Sequence, residues 1–131
     1  MKTKKYELIN YNQETNLYRI KALKDFNDVK SGDLGGFVDS ENNLSHEGNC
    51  WIYDSAVVCD SAIVKDDAIV YGSAVVCDSA RVYGSAVVCD SAVVRDSAIV
   101  RDSAVVCDSA IVCNFAVVCD SALVCNFASS L

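Results

Sequence analysis

The chain has 131 residues, a formal net charge of −7, eight Cys and no Pro, and this length suits one small domain. No run of about 18 apolar residues occurs, which excludes a transmembrane helix, and no apolar stretch follows the basic start MKTKK as a secretory signal requires. We therefore expect a cytoplasmic protein that makes no membrane contact and keeps its thiols reduced.

The negative charge is concentrated in the second part of the chain. Residues 1–50 hold seven Lys/Arg against eight Asp/Glu, whereas residues 51–131 hold four Lys/Arg against ten Asp. Direct nucleic-acid binding needs cationic groups that replace the counterions around phosphates, so we expect none. An acidic surface favours solubility or a basic protein partner.

Residues 1–50 lack the repeat that follows and predict a small β cap. KYELI and LYRIKAL have the composition of short strands, and SGDLGGFV supplies turn glycines between them. An array of repeats exposes strand edges and an open core at its end unless a cap covers them. We predict a cap region in residues 1–50 and a repeat domain in residues 51–131.

Residues 51–131 repeat a six-residue unit. Ala recurs every six residues from Ala56 to Ala128, and Val follows it by two residues from Val58 to Val124 without exception. A period of six scatters over the whole circumference of a helix, whereas Val and Ile favour strands and Asp, Asn, Ser and Gly favour turns. Each unit predicts a short strand and a corner, and stacked units predict an all-β solenoid.

Alternation along each strand assigns its faces. Ala56 and Val58 should point inward, where a small and a branched residue fill a narrow interior, and Val57 should point outward. An aliphatic residue followed four positions later by a small one resembles the left-handed parallel β-helix of hexapeptide-repeat proteins. That resemblance implies a triangular coil of three units, or eighteen residues, and the left-handed sense of the coil comes from the resemblance alone.

A coil of two units is the alternative to the triangle. At the corner position from Asp54 to Asn126, residues twelve apart are identical in 8 of 11 pairs, and residues eighteen apart in 4 of 10. A recent duplication of a twelve-residue segment would leave the same trace. We predict the triangular coil.

A second resemblance covers Tyr18 to Ala56, YRIKALKDFNDVKSGDLGGFVDSENNLSHEGNCWIYDSA. This segment resembles the leader of a family of bacterial and phage hexapeptide-repeat proteins that includes an enterobacterial protein labelled a transferase. The resemblance implies a β-solenoid in the cytoplasm of a bacterial host, phage or prophage origin, and an acyltransferase label that rests largely on the fold. The chain departs from the family in its outward strand positions, which are apolar rather than polar or basic.

A catalytic constellation is not visible in the repeats. Hexapeptide acyltransferases resemble one another in using a His base in a cleft between subunits, but the single His, His46, precedes the repeats. Cys recurs at one repeat position without any CxxC pair, which favours a structural thiol over a nucleophile or a zinc ligand. We predict no catalytic residue, no cofactor and no metal, and we expect His46 to belong to the cap.

The Asp residues of the repeats share one corner position. Asp at a turn commonly hydrogen-bonds its own backbone, but Asp residues aligned in neighbouring coils would also form a negative ridge that attracts cations or a basic protein. The predicted acidic ridge consists of Asp60, Asp78, Asp90, Asp96, Asp102, Asp108 and Asp120.

The outward strand position is apolar in eleven of twelve units from Val57 to Leu123, and Arg81 is the exception. Contiguous exposed apolar surface favours an interface, although β-branched residues suit strands on either face. We expect self-association into a dimer or trimer, with aromatic anchors near the C-terminus. The predicted interface consists of Val93, Ile99, Val105, Ile111, Phe115, Val117, Leu123 and Phe127.

These features predict a non-enzymatic acidic β-solenoid, and the second resemblance implies that a phage or prophage encodes it. Its predicted role is to bind and block a host defence complex, or another complex that handles nucleic acid, through that complex's basic surface. An acyltransferase with a site between subunits and a purely structural self-assembling rod are the alternatives.

Overall fold

The computed structural model describes residues 4–125 and the strand Ser129–Ser130. These described residues form β-strands and one short 3-10 helix, Glu41–Asn43, with no α-helix among them. Within the same part of the chain, no helix has the length and apolar character needed to cross a membrane. The all-β solenoid that the repeat predicts is confirmed.

Three longer strands form an antiparallel sheet at the start of the chain. They are β1 (Tyr6–Asn12), β2 (Leu17–Ala22) and β3 (Leu34–Val38), and β2 lies between the other two. The two strands expected from KYELI and LYRIKAL are confirmed.

The glycine pair of SGDLGGFV lies in a strand and not in a turn, which corrects the prediction. Gly35 and Gly36 both belong to β3. A Cβ atom on Gly35 would lie 2.5 Å from the carbonyl oxygen of Ile52, and one on Gly36 would lie 2.5 Å from that of Ala56. Glycine therefore allows β3 to lie directly against the following coil.

The repeats form two-residue strands, each holding one outward and one inward residue. They are β4 (Trp51–Ile52), β5 (Val57–Val58), β6 (Ile63–Val64), β7 (Ile69–Val70), β8 (Val75–Val76), β9 (Arg81–Val82), β10 (Val87–Val88), β11 (Val93–Val94), β12 (Ile99–Val100), β13 (Val105–Val106), β14 (Ile111–Val112), β15 (Val117–Val118), β16 (Leu123–Val124) and β17 (Ser129–Ser130).

Each short strand pairs in parallel with the strand eighteen residues further on, as in the register Val57↔Val75. The pairing produces three sheets, which we call face 1 (β3, β5, β8, β11, β14 and β17, continuing from β1 and β2), face 2 (β6, β9, β12 and β15) and face 3 (β4, β7, β10, β13 and β16). The triangular coil is confirmed. The twelve-residue alternative is wrong, because the strands that follow Gly72 and Gly84, β8 and β10, belong to different faces.

The core is a column of Ala and Val side chains enclosed by the three faces. Every inward Ala and Val from Ala56 to Val112 is fully buried, as the alternation within each strand predicts. Ala lies beside the corner and Val lies mid-strand, so a repeated small and branched pair fills the narrow interior.

Parallel stacking begins inside the segment that the sequence assigns to the cap. The strand β3 already pairs in parallel with β5, and Leu44 forms a parallel bridge to Val64. Buried Asn43 joins the two parts: its side-chain NH2 group donates to the carbonyl oxygens of Asp60 and Ala62 at 3.1 and 2.9 Å. The N-terminal sheet is therefore continuous with the solenoid.

The N-terminal segment also covers the first strand of face 3. Trp51 occupies the outward position of β4, in register with Ile69, yet it is only 1% exposed. The rings of Phe26 and Tyr6 contact the Trp51 ring edge-on, with centroids 5.2 and 6.2 Å away. This covering is an aromatic contact between cap and coil.

Candidate functional site

The predicted interface residues do not form one surface, because successive units lie on different faces of the triangle. Val93 and Ile111 lie on face 1, Ile99 and Val117 on face 2, and Val105 and Leu123 on face 3. Phe115 lies at a corner and is 83% exposed, while Phe127 lies outside the described residues. The outward apolar residues instead form three narrow strips, and Arg81 interrupts the strip on face 2.

The predicted acidic ridge is likewise divided over three corners. We call these corner 1 (Asp54, Gly72, Asp90 and Asp108), corner 2 (Asp60, Asp78, Asp96 and Asn114) and corner 3 (Asp66, Gly84, Asp102 and Asp120). Every residue in these three groups has a φ between 57° and 73°, the left-handed region that Gly, Asn and Asp adopt most readily.

The corner carboxylates hydrogen-bond to the next coil rather than to their own turn, which corrects the expected local bond. Asp60 Oδ2 accepts the backbone N–H of Asp78 at 3.2 Å, and Asp78 Oδ2 accepts that of Asp96 at 3.1 Å. The same contact recurs at the other two corners, for example from Gly84 N–H to Asp66 at 3.0 Å. Backbone geometry and this ladder account for Asp at the corner, and a further role as a binding ridge stays a prediction.

The Cys position precedes each corner Asp, so the thiols also stack in columns. Burial, followed by the charge of Asp60, raises the pKa of the Cys59 thiol to about 12. Burial, followed by the charge of Asp108, raises the pKa of Cys107 to about 11. These thiols are protonated at neutral pH and are weak nucleophiles.

Stacking also brings together groups that could hold a metal ion, although the sequence contains no CxxC pair. The sets are Cys107, Asp108 and Cys125; Asp60, Cys77 and Asp78; and Asp102, Cys119 and Asp120, each with its ligand atoms within 4.8 Å of one another. Cys residues spaced by one whole coil are the signal that could have revealed the first set.

His46 has both ring nitrogens engaged. Its Nδ1 accepts the backbone N–H of Lys5 at 3.1 Å, so the proton lies on Nε2, which donates to Glu41 at 2.8 Å. The ring stacks on Tyr6 with centroids 4.1 Å apart. In this conformation no nitrogen lone pair is available to act as a base, and the contacts are those of a cap residue.

A buried polar cluster that the sequence did not indicate lies beside His46. Lys5 is fully buried, and its ammonium group donates to the Cys50 carbonyl at 2.7 Å and to the Cys50 sulfur at 3.3 Å. Burial lowers the pKa of Lys5, and burial also raises that of the Cys50 thiol. The Tyr6 hydroxyl donates to the Leu44 carbonyl, so these groups connect β1 to the entry of the first coil.

Two grooves lie along the junction between the N-terminal sheet and the coils. The larger, which we call the Arg19 groove, has a volume of about 420 Å³. Its lining consists of Asn10, Asn12, Thr15, Leu17, Arg19, Phe37, Ser55 and Val57. Arg19 is held in place because its Nε donates to the Gly35 carbonyl at 2.9 Å and its guanidinium lies 5.2 Å from the Phe37 ring centroid.

The smaller groove, of about 240 Å³, lies near corner 1 and is lined by Asp28, Tyr53, Asp54, Ile69 and Tyr71. The Tyr53 hydroxyl donates to Asp28 at 2.7 Å, and burial, followed by this bond, raises the pKa of Tyr53. This groove is acidic, whereas the Arg19 groove combines one cation with amide and apolar groups.

Comparison with known proteins adds a relative to this geometry. No model of a known protein family matches the chain. A protein named "Uncharacterized acetyltransferase YdcK" from Escherichia coli (strain K12) is 49% identical over 49 residues, which are 37% of this chain and 15% of that protein. The chain fits the hexapeptide-repeat β-helix family. The match covers only a small part of the relative's length.

The similarity of this hexapeptide-repeat protein to a protein named an acetyltransferase contradicts the prediction that it is not an enzyme. That prediction took the absence of a His base from the repeats as evidence against activity. If a second copy or a further segment completes an active site, one chain does not contain all the catalytic residues. The absence of a complete set from this sequence was therefore weak evidence against enzymatic activity.

Proposed function

We propose that the chain takes part in acyl transfer, as a hexapeptide-repeat β-helix that binds an acyl-coenzyme A donor. The observation that carries the proposal is the 49% identity to a protein named an acetyltransferase. The β-helical coil is consistent with acyl transfer. Because one fold hosts many functions, the proposal also requires a site that can bind the acyl donor.

The Arg19 groove supplies the chemistry that such a donor needs. Coenzyme A combines anionic phosphates with a long, mostly uncharged pantetheine arm. Arg19 offers a positioned cation for a phosphate, Leu17, Phe37 and Val57 offer apolar contact, and Asn10 offers an amide for the arm. The groove volume of about 420 Å³ suits part of the donor, with the remainder extending along the coils.

In this proposal, the acceptor substrate binds between two copies of the chain. Because both nitrogens of His46 are engaged within one chain, no proton transfer is assigned to that residue. The half-buried apolar strips of the three faces offer surfaces for self-association, which stays a prediction. An open-ended rod remains the alternative assembly, and light scattering distinguishes growth without limit from a closed dimer or trimer.

Calorimetric titration with acetyl-coenzyme A tests the donor site. The wild type should bind, and Arg19→Gln should weaken binding about tenfold or more, since a charge-assisted contact to a phosphate is lost. Arg95→Gln is the matched control, because Arg95 lies at corner 2, outside the groove-lining residues, and pairs only weakly with Asp96 at 3.8 Å.

Turnover is best followed by chromatography of free coenzyme A, since the eight Cys residues of the chain would react with a thiol reagent. A range of amine and hydroxyl acceptors should be assayed at chain concentrations where the oligomer is present. Absence of both binding and coenzyme A release under those conditions overturns the proposal.

A second candidate function follows from the corner carboxylates, which leave an acidic surface on all three corners. We propose that this surface also binds a basic protein. The identification of that partner with a host defence complex, and the phage origin, stay predictions without support from the relative.

The triple variant Asp60→Asn/Asp78→Asn/Asp96→Asn tests the acidic surface. Asn keeps the turn, as natural Asn114 does at φ 59°, and its amide oxygen can still accept the backbone N–H of the next coil, but the substitution removes three charges from corner 2. The wild type should capture a basic partner from bacterial lysate at low salt. The variant should not capture it at low salt, and the wild type should not capture it at high salt. Equal capture by variant and wild type contradicts an electrostatic surface.

A further inference from the structure

Three thiols occupy consecutive coils in the column that precedes corner 1. They are Cys89, Cys107 and Cys125, and the strands before them (β10, β13 and β16) pair in register on face 3. The backbone N–H of Cys89 donates to Val106 O, and that of Cys107 donates to Val124 O, both at 2.9 Å. In the column before corner 2, Arg95 separates Cys77 from Cys113, and the column before corner 3 holds one Cys, so a run of three thiols occurs only before corner 1.

The last two thiols of the run form a three-atom cluster with a corner carboxylate. The sulfur atoms of Cys107 and Cys125 and one carboxylate oxygen of Asp108 all lie within 4.8 Å of one another. All three side chains are at least partly exposed, so an ion can reach them from solvent. Sulfur atoms on one tetrahedral zinc ion, each at about 2.3 Å, lie about 3.8 Å apart, a distance that small side-chain rotations can provide.

We propose that Cys107, Cys125 and Asp108 bind a thiophilic divalent cation of the Zn²⁺ or Cd²⁺ class, with water in the fourth position. Two thiolates and one carboxylate favour such ions over Mg²⁺ or Ca²⁺, which prefer oxygen ligands. The other two clusters each offer one sulfur and two exposed carboxylates, a weaker set for the same ions.

The coil geometry makes the site possible without any CxxC spacing. Parallel strands lie about 4.8 Å apart, so residues eighteen apart in sequence come as close as ligands two or three residues apart in a loop. The acidic neighbour Asp90, one coil below Asp108, adds negative charge that favours a cation at this corner.

Titration of the reduced full-length chain with Cd²⁺ tests the site directly. Cadmium–thiolate bonds give an ultraviolet charge-transfer band, which should rise to a plateau at one tightly bound ion per chain, and Zn²⁺ should displace that ion. Cys107→Ser and Cys125→Ser should each weaken binding about tenfold or more, because each removes one of the two soft ligands.

Cys119→Ser is the matched control, since Cys119 belongs to a single-sulfur cluster at corner 3. It should leave the affinity and the band unchanged. The same repeat position holds Lys, Tyr or Arg in other coils, so Ser should not disturb the fold, and far-ultraviolet circular dichroism checks this.

Any of three results overturns the site. The first is the absence of a charge-transfer band in the wild type. The second is a band that persists in Cys107→Ser and Cys125→Ser but disappears in Cys59→Ser or Cys77→Ser. The third is a loss of affinity in Cys119→Ser as large as the loss in Cys107→Ser and Cys125→Ser.

Discussion

The first strand of face 3 and the later strands of that face share one backbone position but differ in environment. Trp51, the outward residue of the first strand, is 1% exposed, whereas Leu123, the outward residue of the last, is 64% exposed. The difference comes from Tyr6 and Phe26, which cover Trp51 from the N-terminal segment. In a repeated coil, the local sequence determines the strand and its inward residue, while the role of the outward residue depends on what lies over it.

The two regions also differ in how often each contact occurs. In the coils, the same Ala and Val packing and the same Asp contact recur from one turn to the next. In the N-terminal segment, buried Lys5 and Asn43 each make a contact that no other described residue repeats. Loss of one contact should therefore lower the free energy of unfolding more in the cap than in the coils.

Trp51→Ala should have the largest effect, a loss of about 3–5 kcal/mol in the free energy of unfolding, because it empties the interface between cap and coil. Val105→Ala, at the equivalent outward position of the same face, should cost less than about 1 kcal/mol. Urea unfolding followed by circular dichroism measures both. Equal losses would show that covering by the cap does not make the outward residue of the first strand more important for stability than that of a later strand.

Val94→Ala and Val93→Ala compare inside with outside within one strand. Val94 is fully buried, so its truncation should cost about 2 kcal/mol through lost burial and an internal cavity. Val93 is half-buried on the outside, and its truncation should cost less than half as much. Thermal unfolding of the two variants provides the measurement, and the reverse order would contradict the assignment of faces.

Asp78→Ala should cost about 1–2 kcal/mol, because Ala disfavours the φ of 59° at this corner and the N–H of Asp96 loses its acceptor. Asp78→Asn should stay within about 0.5 kcal/mol of the wild type, since Asn keeps both the turn and an acceptor oxygen. Thermal unfolding again measures the difference. A large effect of Asn would mean that the charge itself stabilises the coil.

Glu41→Gln should have the smallest effect, visible in the pH dependence of unfolding. The hydrogen bond from His46, together with Lys4, holds the pKa of Glu41 below its ordinary value of 4.5. A lowered pKa in the folded state contributes stability that is present above 4.5 and is lost as the pH falls through the folded value. Melting temperatures measured from pH 6 to pH 3 should fall less steeply in the Gln variant than in the wild type.

The period and alternation of the repeats were enough to predict the strands and the inward residues, because a buried column of Ala and Val imposes them. The triangular coil was predicted from the resemblance to hexapeptide-repeat proteins and not from the period. Three features were beyond that reasoning. The covering of Trp51 and the strand position of Gly35 depend on contacts between the N-terminal segment and the coils. The division of Val93, Ile99 and Val105 among three faces follows only once the coil size is known.

The candidate site was harder to predict than the fold for the same reason. His46 was expected in the cap, where its contacts with Lys5 and Glu41 place it, but no sequence pattern marks those partners. The lining of the Arg19 groove comes from three separate stretches of the chain, within residues 10–19, at Phe37 and within residues 55–57, so no local motif contains it. The cluster at Cys107 and Cys125 requires knowledge that residues eighteen apart are neighbours.

Because the coil has three sides, the length of an insertion or deletion determines on which side every later residue lies. Adding or removing eighteen residues changes the length of the rod by one coil, about 4.8 Å, and leaves every later residue on its own side. Adding or removing six turns everything downstream by one third of a revolution relative to the cap. A twelve-residue duplication moves each copied residue two sides onward, so a gene that grew in this way spread identical residues around the axis, as the separate corners of Gly72 and Gly84 illustrate.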